Sequence, residues 1–249
     1  MKLQSAAILT CVMILARGQD IELKASYPKS PADVYSTIRR LREREKRRPL
    51  TQPERVALGL AYYGAGQHLL FRAAMEKAIA EDPGDPAPHF YLGRHYGSDV
   101  QDFARSALHF RAALERKPSP DHQAYLGHAL EMQGDREAAL SLYRDAAAAD
   151  SCHPVAAAGL ARLGAARLDR LLACPSPHPV LLRELAKMLA AANRHAEAAR
   201  CLEEVLAAEP SNAAAAYQLH RAWRAAGDAA KAGAALERYR EISAVYGGQ

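Results

Sequence analysis

Apolar residues recur along this chain at helical spacing, and one arrangement of them repeats. A leucine is followed four positions later by another apolar residue, which places both side chains on one face of a helix. The pairs are Leu58 and Tyr62, Leu92 and Tyr96, Leu126 and Leu130, Leu185 and Leu189, and Leu219 and Trp223. The first three leucines are spaced 34 residues apart, and so are the last two. The chain therefore contains an internal repeat.

Later positions recur in the same register. A turn signal follows the first apolar pair, at Gly66, Gln101, Gly134, Asn193 and Gly227. Large side chains then stand at Met75, Phe110, Tyr143, Leu202 and Leu236, and prolines at Pro83, Pro118 and Pro210 close three units. Each unit is predicted to be two antiparallel helices, because glycine permits the tight turn and proline ends the second helix. One pair cannot bury its apolar face alone, so the units should stack.

This register of Leu-Gly, Tyr, Gly-Asp, Ala, an aromatic residue, Ala and Pro resembles the tetratricopeptide repeat. The resemblance covers residues 53–245 and implies an all-α fold, a right-handed α-solenoid of about six helix–turn–helix units. We expect the units at 53–85, 86–119, 120–152, 153–177, 178–211 and 212–245. The fourth is shortened, because Leu126 and Leu185 are only 59 residues apart. The second has one extra residue in its loop, "GSDVQDF".

Composition supports an all-helical chain. Alanine is abundant, aromatic residues make up only 6% of the 249 residues, and no alternating run of β-branched residues is long enough to predict a strand. The first residues differ from the rest: an apolar run ends in Ala16-Arg17-Gly18, which suits cleavage of a signal peptide at 1–18. The remaining divisions are an extended arm and basic helix at 19–52, the solenoid at 53–245 and a tail at 246–249.

Export would place the protein in the periplasm or the medium of a bacterium. The bacterial origin is inferred from the Ala- and Arg-rich composition and from the absence of any Asn-x-Ser/Thr sequon. No stretch is apolar for long enough to predict a transmembrane helix.

The net charge of +5 is concentrated in one segment, Arg39–Arg48, which holds seven basic and two acidic residues. Without this segment and the two basic residues of the signal peptide, the rest of the chain is close to neutral. The local distribution argues against a nucleic-acid-binding protein. A solvated helix face explains the segment, and contact with anionic lipid or with an acidic partner is the alternative.

Basic or titratable residues follow the Leu-Gly position in five units: Arg94, His128, Arg162, Lys187 and Arg221. The resemblance implies that this position faces a concave groove, with Arg183 and Arg224 one turn away. Such a groove would attract an acidic or C-terminal peptide. Tyr63, Phe90 and Tyr217 on the first helices would stack on an extended ligand or, equally, fill contacts between units. Ordinary surface arginine also explains the basic positions.

The cysteines divide by context. Cys152 precedes the first helix of the short unit and Cys174 ends its second, so the two ends of an antiparallel hairpin should bring them together. A disulfide there would add about 3 kcal/mol in the chain-entropy model. Cys201 is expected to be a buried apolar residue. His153 and His178 stand near the paired cysteines, but the spacing does not favour zinc, and we predict no metal and no cofactor.

Catalytic motifs are missing from the sequence: it has no Gly-x-Ser-x-Gly, no His-Glu-x-x-His and no phosphate-binding glycine loop. We therefore predict a non-catalytic scaffold or adaptor that binds a protein or peptide in its groove. Two alternatives remain: an assembly factor of a bacterial envelope complex such as a secretion, pilus or outer-membrane machine, and a binder of an anionic envelope ligand.

Overall fold

A computed structural model of the chain describes residues 31–174 and 177–246. The predicted signal peptide, residues 19–30 and the last three residues lie outside this part. The described residues form thirteen α-helices and one π-helical turn, and no strand occurs among them. The prediction of an all-α fold is confirmed.

The chain divides into two compact units between Pro118 and Ser119, and each is described by itself. The described part of unit 1, residues 31–118, contains five helices: α1 (Pro31–Glu45), α2 (Gln52–Gly64), α3 (His68–Glu81), α4 (Pro86–His95) and α5 (Phe103–Arg116). The π-helical turn Tyr96–Val100 follows α4 directly. Helices α2 and α3 form one pair and α4 and α5 the next, and α3 packs against α4. The basic helix α1 packs on α2.

Eight helices lie in the described residues of unit 2, 119–174 and 177–246: α6 (Pro120–Met132), α7 (Arg136–Ala149), α8 (Pro154–Arg162), α9 (Leu168–Leu172), α10 (Pro179–Ala191), α11 (His195–Ala208), α12 (Ala213–Ala225) and α13 (Ala229–Tyr246). Antiparallel pairs α6/α7, α10/α11 and α12/α13 repeat the arrangement of unit 1, and α8 packs against α6, α7 and α10. Stacking of consecutive pairs within a unit is the construction of an α-solenoid.

The fourth helix pair is shorter than its neighbours. The sequence predicts its second helix near Ala165–Ala173, but α9 has only five residues and packs on α10. The chain leaves α8 through Gly164, whose φ is +72°. Residues 165–167 stay outside a helix, so the second helix is reduced to a little more than one turn.

Local signals explain the helix ends. Proline occupies the first turn of α2, α4, α6, α8 and α10, where its fixed φ suits a helix and its missing N–H costs nothing. The side chain of Asp135 accepts a hydrogen bond from the N–H of Ala138 and so caps α7. Gly134, before that cap, has a φ of +92°, which side chains other than glycine rarely adopt.

The repeat favours glycine after its recurring leucine because a large side chain of the second helix lies against this position. A Cβ added to Gly93 would stand 2.9 Å from the ring of Phe110. In unit 2, a Cβ on Gly159 would stand 2.3 Å from the ring of Tyr143, and one on Gly127 would stand 3.1 Å from it. Tyr143 is fully buried. Its ring fills the gap between glycines of two consecutive pairs, so the repeat spacing is a packing requirement.

Candidate partner-binding surface

The predicted basic positions of unit 2 divide into residues that are ion-paired within the unit and residues that are not. Arg162 belongs to the first group. Its Nε and terminal nitrogen donate to the two carboxylate oxygens of Glu131 at 3.0 and 2.7 Å. The hydroxyl of Tyr143 donates to the same carboxylate at 2.6 Å. Arg162 therefore joins α8 to α6, and its charge is compensated inside the protein.

Electrostatics in this cluster are set by partial burial. Burial by itself would raise the pKa of the Glu131 carboxyl, but hydrogen bonds from Arg162 and Tyr143, together with the nearby His128, outweigh it and hold this pKa far below its usual range. Burial and the neighbouring carboxylate raise the pKa of Tyr143. Glu131 is thus a carboxylate and Tyr143 a neutral donor at any physiological pH. His128 Nδ1 lies 4.0 Å from Glu131 Oε2.

Two further predicted groove residues are also paired. Arg183 donates to Glu209 at 2.9 Å, and Glu209 accepts a second hydrogen bond from Asn212 at 2.7 Å. Lys187 donates to Glu184, one turn earlier on α10, at 2.9 Å. The Arg183 contact is half-buried and joins α10 to the C-terminal end of α11. Lys187 is mostly solvent-exposed although Glu184 is largely buried, so this ion pair contributes little.

Helix α12 carries the basic residues that remain. Tyr217, Arg221 and Arg224 are spaced i, i+4 and i+7, so they share one face. All three are exposed, with 46% of the Tyr217 side chain accessible. Within residues 31–174 and 177–246, neither guanidinium has a hydrogen-bonding or ionic partner. We call these three residues the α12 stripe.

In unit 1 the predicted residues serve the interior instead. Phe90 is only 5% exposed and packs edge-on against Phe110, so its ring is not offered to a ligand. The Arg94 guanidinium lies over that ring, 5.8 Å from its centre. The hydroxyl of Tyr63 donates to Asp99 at 3.0 Å. Phe90 lies on the buried face of α4 because its ring fills space between the paired helices.

The basic segment on α1 is likewise divided. Arg44 and Arg48 both donate to Glu54 on α2, and Arg42 donates weakly to the Tyr62 hydroxyl at 3.4 Å. These contacts hold α1 on α2 and hold the pKa of Glu54 far below its usual range. Arg39, Arg40 and Arg47 are exposed and, in the part of the chain that the structure describes, lack such partners.

The carboxylates that pair with the predicted arginines were missed by sequence reasoning. Glu131 and Arg162 are 31 residues apart, and Glu209 and Arg183 are 26 apart. No local spacing links such residues, because their contact depends on how consecutive helix pairs stack. The Glu184–Lys187 pair could have been found, since i, i+3 neighbours meet on a helix surface.

Cys152 and Cys174 lie together in unit 2. Their Cα atoms are 5.5 Å apart and their sulfur atoms lie at bonding distance, in disulfide geometry. Cys152 precedes α8 and Cys174 follows α9, the two ends of the shortened pair. Cys201 is partly buried beside this cluster, and burial raises the pKa of its thiol. His153 hydrogen-bonds to Asp121 at 3.0 Å, and His178 caps α10 through Val180.

Comparisons with known proteins agree with the helix-pair fold. The tetratricopeptide-repeat family pattern matches residues 98–154 and 183–245. No curated protein sequence resembles the chain closely enough to count as a match. The two matched segments carry tetratricopeptide repeats, the family that the register of the sequence resembles. Proteins built from this repeat generally serve as scaffolds for protein–protein interaction, and the fold of this chain supports that role in general terms. The number of its repeats stays a prediction, because the family pattern covers only those two segments.

Solved structures with this fold are distant in sequence. A chain of the APC/C hetero-tetramer Cut9–Hcn1 superposes with a TM-score of 0.69 at 13% identity, covering 87% of this chain and 46% of that one. This chain therefore spans less than half of that relative. PilW, a type IV pilus biogenesis factor, has a TM-score of 0.60 at 21% identity, covering 80% and 94%. A thermophilic tetratricopeptide-repeat protein of Thermus thermophilus has 0.54 at 20%, covering 69% and 98%.

None of the helices in residues 31–174 and 177–246 is both long and apolar enough to cross a membrane.

Proposed function

We propose that this protein is a non-catalytic scaffold that binds an acidic peptide segment through the α12 stripe. The observation that supports the proposal is the difference among its basic residues: Arg162, Arg183 and Lys187 are paired with carboxylates of the protein, whereas Arg221 and Arg224 are exposed and unpaired. A paired guanidinium is already satisfied. An unpaired one can donate to a ligand carboxylate at no cost to the fold.

Tyr217 adds an apolar contact beside the two charges. Its ring packs against Tyr239, with ring centres 5.3 Å apart, which restrains it while leaving nearly half of the side chain accessible. A restrained aromatic ring next to a basic pair suits a peptide with a hydrophobic residue near its carboxylates. Helix α12 is held between α11 and α13, so this surface is preformed and little ordering is needed on binding.

A displayed library of random peptides would test the proposal on the full chain. The wild type should select sequences rich in Asp and Glu, with affinities that fall as salt is raised. Arg221→Glu combined with Arg224→Glu should weaken those peptides roughly a hundredfold, because two charge-assisted hydrogen bonds of about 1.5 kcal/mol each are lost. The double variant should instead select basic peptides.

A matched control is available on α1. Arg39→Glu with Arg40→Glu makes the same change in net charge at two exposed arginines of unit 1, and it should leave the selection unchanged. Equal binding of the acidic peptides by wild type and by the α12 double variant would refute the proposal. Circular dichroism should show unchanged helicity in both variants, because none of the four residues is paired.

An assembly factor of a bacterial envelope machine is the second candidate. It is favoured by the exposed arginines of α1, which are available for docking, and a protein with this fold, PilW, is a pilus biogenesis factor. Export at 1–18 belongs to this proposal, and mass measurement of the mature protein from fractionated cells would test it. Because Arg44 and Arg48 hold α1 on α2, substitution is a cleaner test than truncation.

The same α1 variant separates the two candidates. Loss of envelope docking in Arg39→Glu/Arg40→Glu, with peptide binding retained, supports assembly through α1. Binding of the wild type to vesicles of anionic lipid at low salt, lost in this variant, would point to an anionic envelope ligand. Absence of vesicle binding at low salt eliminates that alternative.

A further inference from the structure

A cluster of two histidines and an aspartate lies in unit 1, away from the α12 stripe. His68 is the first residue of α3, His95 is the last of α4, and Asp99 lies in the π-helical turn that follows. One nitrogen or oxygen of each stands within 4.8 Å of the others. His95 Nδ1 is 2.8 Å from Asp99 Oδ2. Three residues with metal-ligating atoms therefore meet where α4 ends beside the start of α3.

The π-helical turn creates this juxtaposition. The first helices of the five other described pairs end two positions before a left-handed residue, at Gly66, Gly134, Gly164, Asn193 and Gly227. Helix α4 instead continues into Tyr96–Val100, and the N–H of Asp102 reaches back to the carbonyl of Tyr96 at 2.9 Å. The extra residue of "GSDVQDF" thus prolongs the helix and places Asp99 beside His95. Such π-helical insertions occur frequently at functional sites.

Neighbouring side chains hold the three groups in place. The hydroxyl of Tyr63 donates to Asp99 Oδ1 at 3.0 Å, which orients the carboxylate and leaves Oδ2 facing His95. The ring of His68 stacks on that of His95, and the ring of Phe71 meets His95 edge-on at 5.3 Å. An orienting hydrogen bond to a ligating carboxylate and an apolar wall around a ligating histidine are the usual support of a metal site.

The geometry points to a binding site for a divalent first-row transition metal, Zn²⁺ being the natural probe, with His68, His95 and Asp99 as its ligands. Two imidazoles and one carboxylate suit such ions and disfavour Mg²⁺ or Ca²⁺, which take oxygen ligands. His95 is 4% exposed, whereas His68 and Asp99 reach the surface. The ion would be held against the protein on one side and keep a coordination position open to solvent. Tyr63 is a positioning residue.

The test uses the full chain without an affinity tag of histidines. Titration calorimetry with Zn²⁺ should give one site per chain, and Co²⁺ should produce visible ligand-field bands without thiolate charge-transfer absorption. The absence of thiolate bands separates this site from the cysteines of unit 2. His68→Ala and Asp99→Asn should each weaken Zn²⁺ binding at least tenfold and abolish the Co²⁺ bands. Both residues are exposed, so the variants should fold.

His195 provides the matched control, because it begins α11 as His68 begins α3 but belongs to no group of three metal-ligating side chains among the described residues. His195→Ala should bind Zn²⁺ like the wild type. Tyr63→Phe should keep one site per chain with affinity reduced about tenfold. Failure of the wild type to bind Zn²⁺, or equal binding by His68→Ala, Asp99→Asn and the wild type, would overturn the proposal.

Discussion

The two compact units use the same helix-pair design but stabilise their irregular parts differently. The described part of unit 1 has no cysteine, and its irregular pair carries an inserted residue that is absorbed by a π-helical turn and surrounded by histidines and aromatic rings. Unit 2 has a deletion instead, which leaves α9 with five residues and brings Cys152 to Cys174. An inserted residue can be accommodated by polar contacts within a longer helix. A deletion removes buried apolar side chains, so a disulfide at that place compensates for a larger loss of stability.

The cores differ in the same sense. Phe71, Phe90 and Phe110 lie buried in unit 1, whereas Ala156, Ala157 and Ala158 stand in succession at the deletion in unit 2. Three buried alanines remove little apolar area from water. Burial contributes about 25 cal/mol to the free energy of folding for each Å² of apolar surface, so their contribution is small. Unit 2 should therefore be the more sensitive of the two to loss of a single contact near its short pair.

The largest effect is expected at the cysteines. Replacing both Cys152 and Cys174 with serine should lower the free energy of unfolding by about 3 kcal/mol, because the 22-residue link no longer restricts the unfolded chain. Thermal melts without reductant should show the lower stability of the double variant. Adding a reductant should lower the stability of the wild type by the same amount and leave the variant unchanged. Mass spectrometry should find a Cys152–Cys174 cross-link and a free Cys201. Free thiols at both Cys152 and Cys174 in the untreated protein would refute the bridge.

The second-largest loss of stability is expected from overpacking against the Tyr143 ring. Gly159→Ala places a methyl 2.3 Å from the Tyr143 ring, so we expect a loss of about 2 kcal/mol in unfolding free energy. Gly93→Ala should cost less, because Phe110 is further away, at 2.9 Å.

Gly233→Ala on α13 is the control for both glycine variants. Nothing lies within 4 Å of its added methyl, and alanine should raise stability by up to about 1 kcal/mol through helix propensity. Denaturant melts of Gly159→Ala, Gly93→Ala and Gly233→Ala would measure the three changes in unfolding free energy. A Gly159→Ala protein as stable as the wild type would contradict the packing assigned to Tyr143.

A pH effect of about 1–2 kcal/mol is expected from unit 1. Burial lowers the pKa of His109 to about 4, with the charges of His89 and Arg105 adding to the shift. Its pKa when unfolded is about 6.5, so the unfolded chain binds the proton more readily between these values. Stability is therefore complete above pH 6.5 and falls as the pH drops toward 4.

Thermal melts of variants between pH 6.5 and 4 would identify the titrating group. His109→Gln should flatten the decline between pH 6.5 and 4, whereas His195→Ala should leave it unchanged. The ring of His109 stacks on Tyr96 and its Nδ1 lies 3.1 Å from that of His89. A decline that persists fully in His109→Gln would assign the pH dependence to other groups.

The smallest effect concerns one left-handed residue in each unit. Gln101 has a φ of 57° and Asn193 a φ of 58°, the only non-glycine residues of the described chain with positive φ. Asn tolerates this conformation better than Gln does. Gln101→Gly should therefore stabilise the protein by about 0.5–1 kcal/mol and Asn193→Gly by less. Equal gains in paired thermal melts would contradict this difference.

Much of the fold follows from local signals in the sequence. The 34-residue register placed the paired helices, because proline, glycine and the apolar stripe act within a few residues of themselves. The meeting of Cys152 and Cys174 followed from the geometry of one short hairpin. The register also marked the extra residue in "GSDVQDF", but not its result, since an insertion can form a longer loop or a wider helical turn.

The candidate sites were less predictable. Sequence reasoning treated the basic positions as one equivalent series, and the structure separates them by their partners: Arg162 is held by Glu131, whereas Arg221 is exposed and unpaired. The cluster of His68, His95 and Asp99 was missed, because scattered histidines carry no spacing signal when their ligating atoms come from different helices. The sequence left two roles open for Phe90, stacking on a ligand or filling a packing contact, and the burial of its ring between α4 and α5 favours the packing contact.

The sequence alone determined that this protein is built from stacked helix pairs, because helix formation, turn formation and the small-against-large packing at Gly159 and Tyr143 depend on residue type and short spacing. Only the tertiary structure decided which charges are available to a partner and where ligating atoms converge. Those outcomes depend on contacts between helices that are 25 or more residues apart in the chain, and an ion pair formed there cancels a charge that looks free in the sequence.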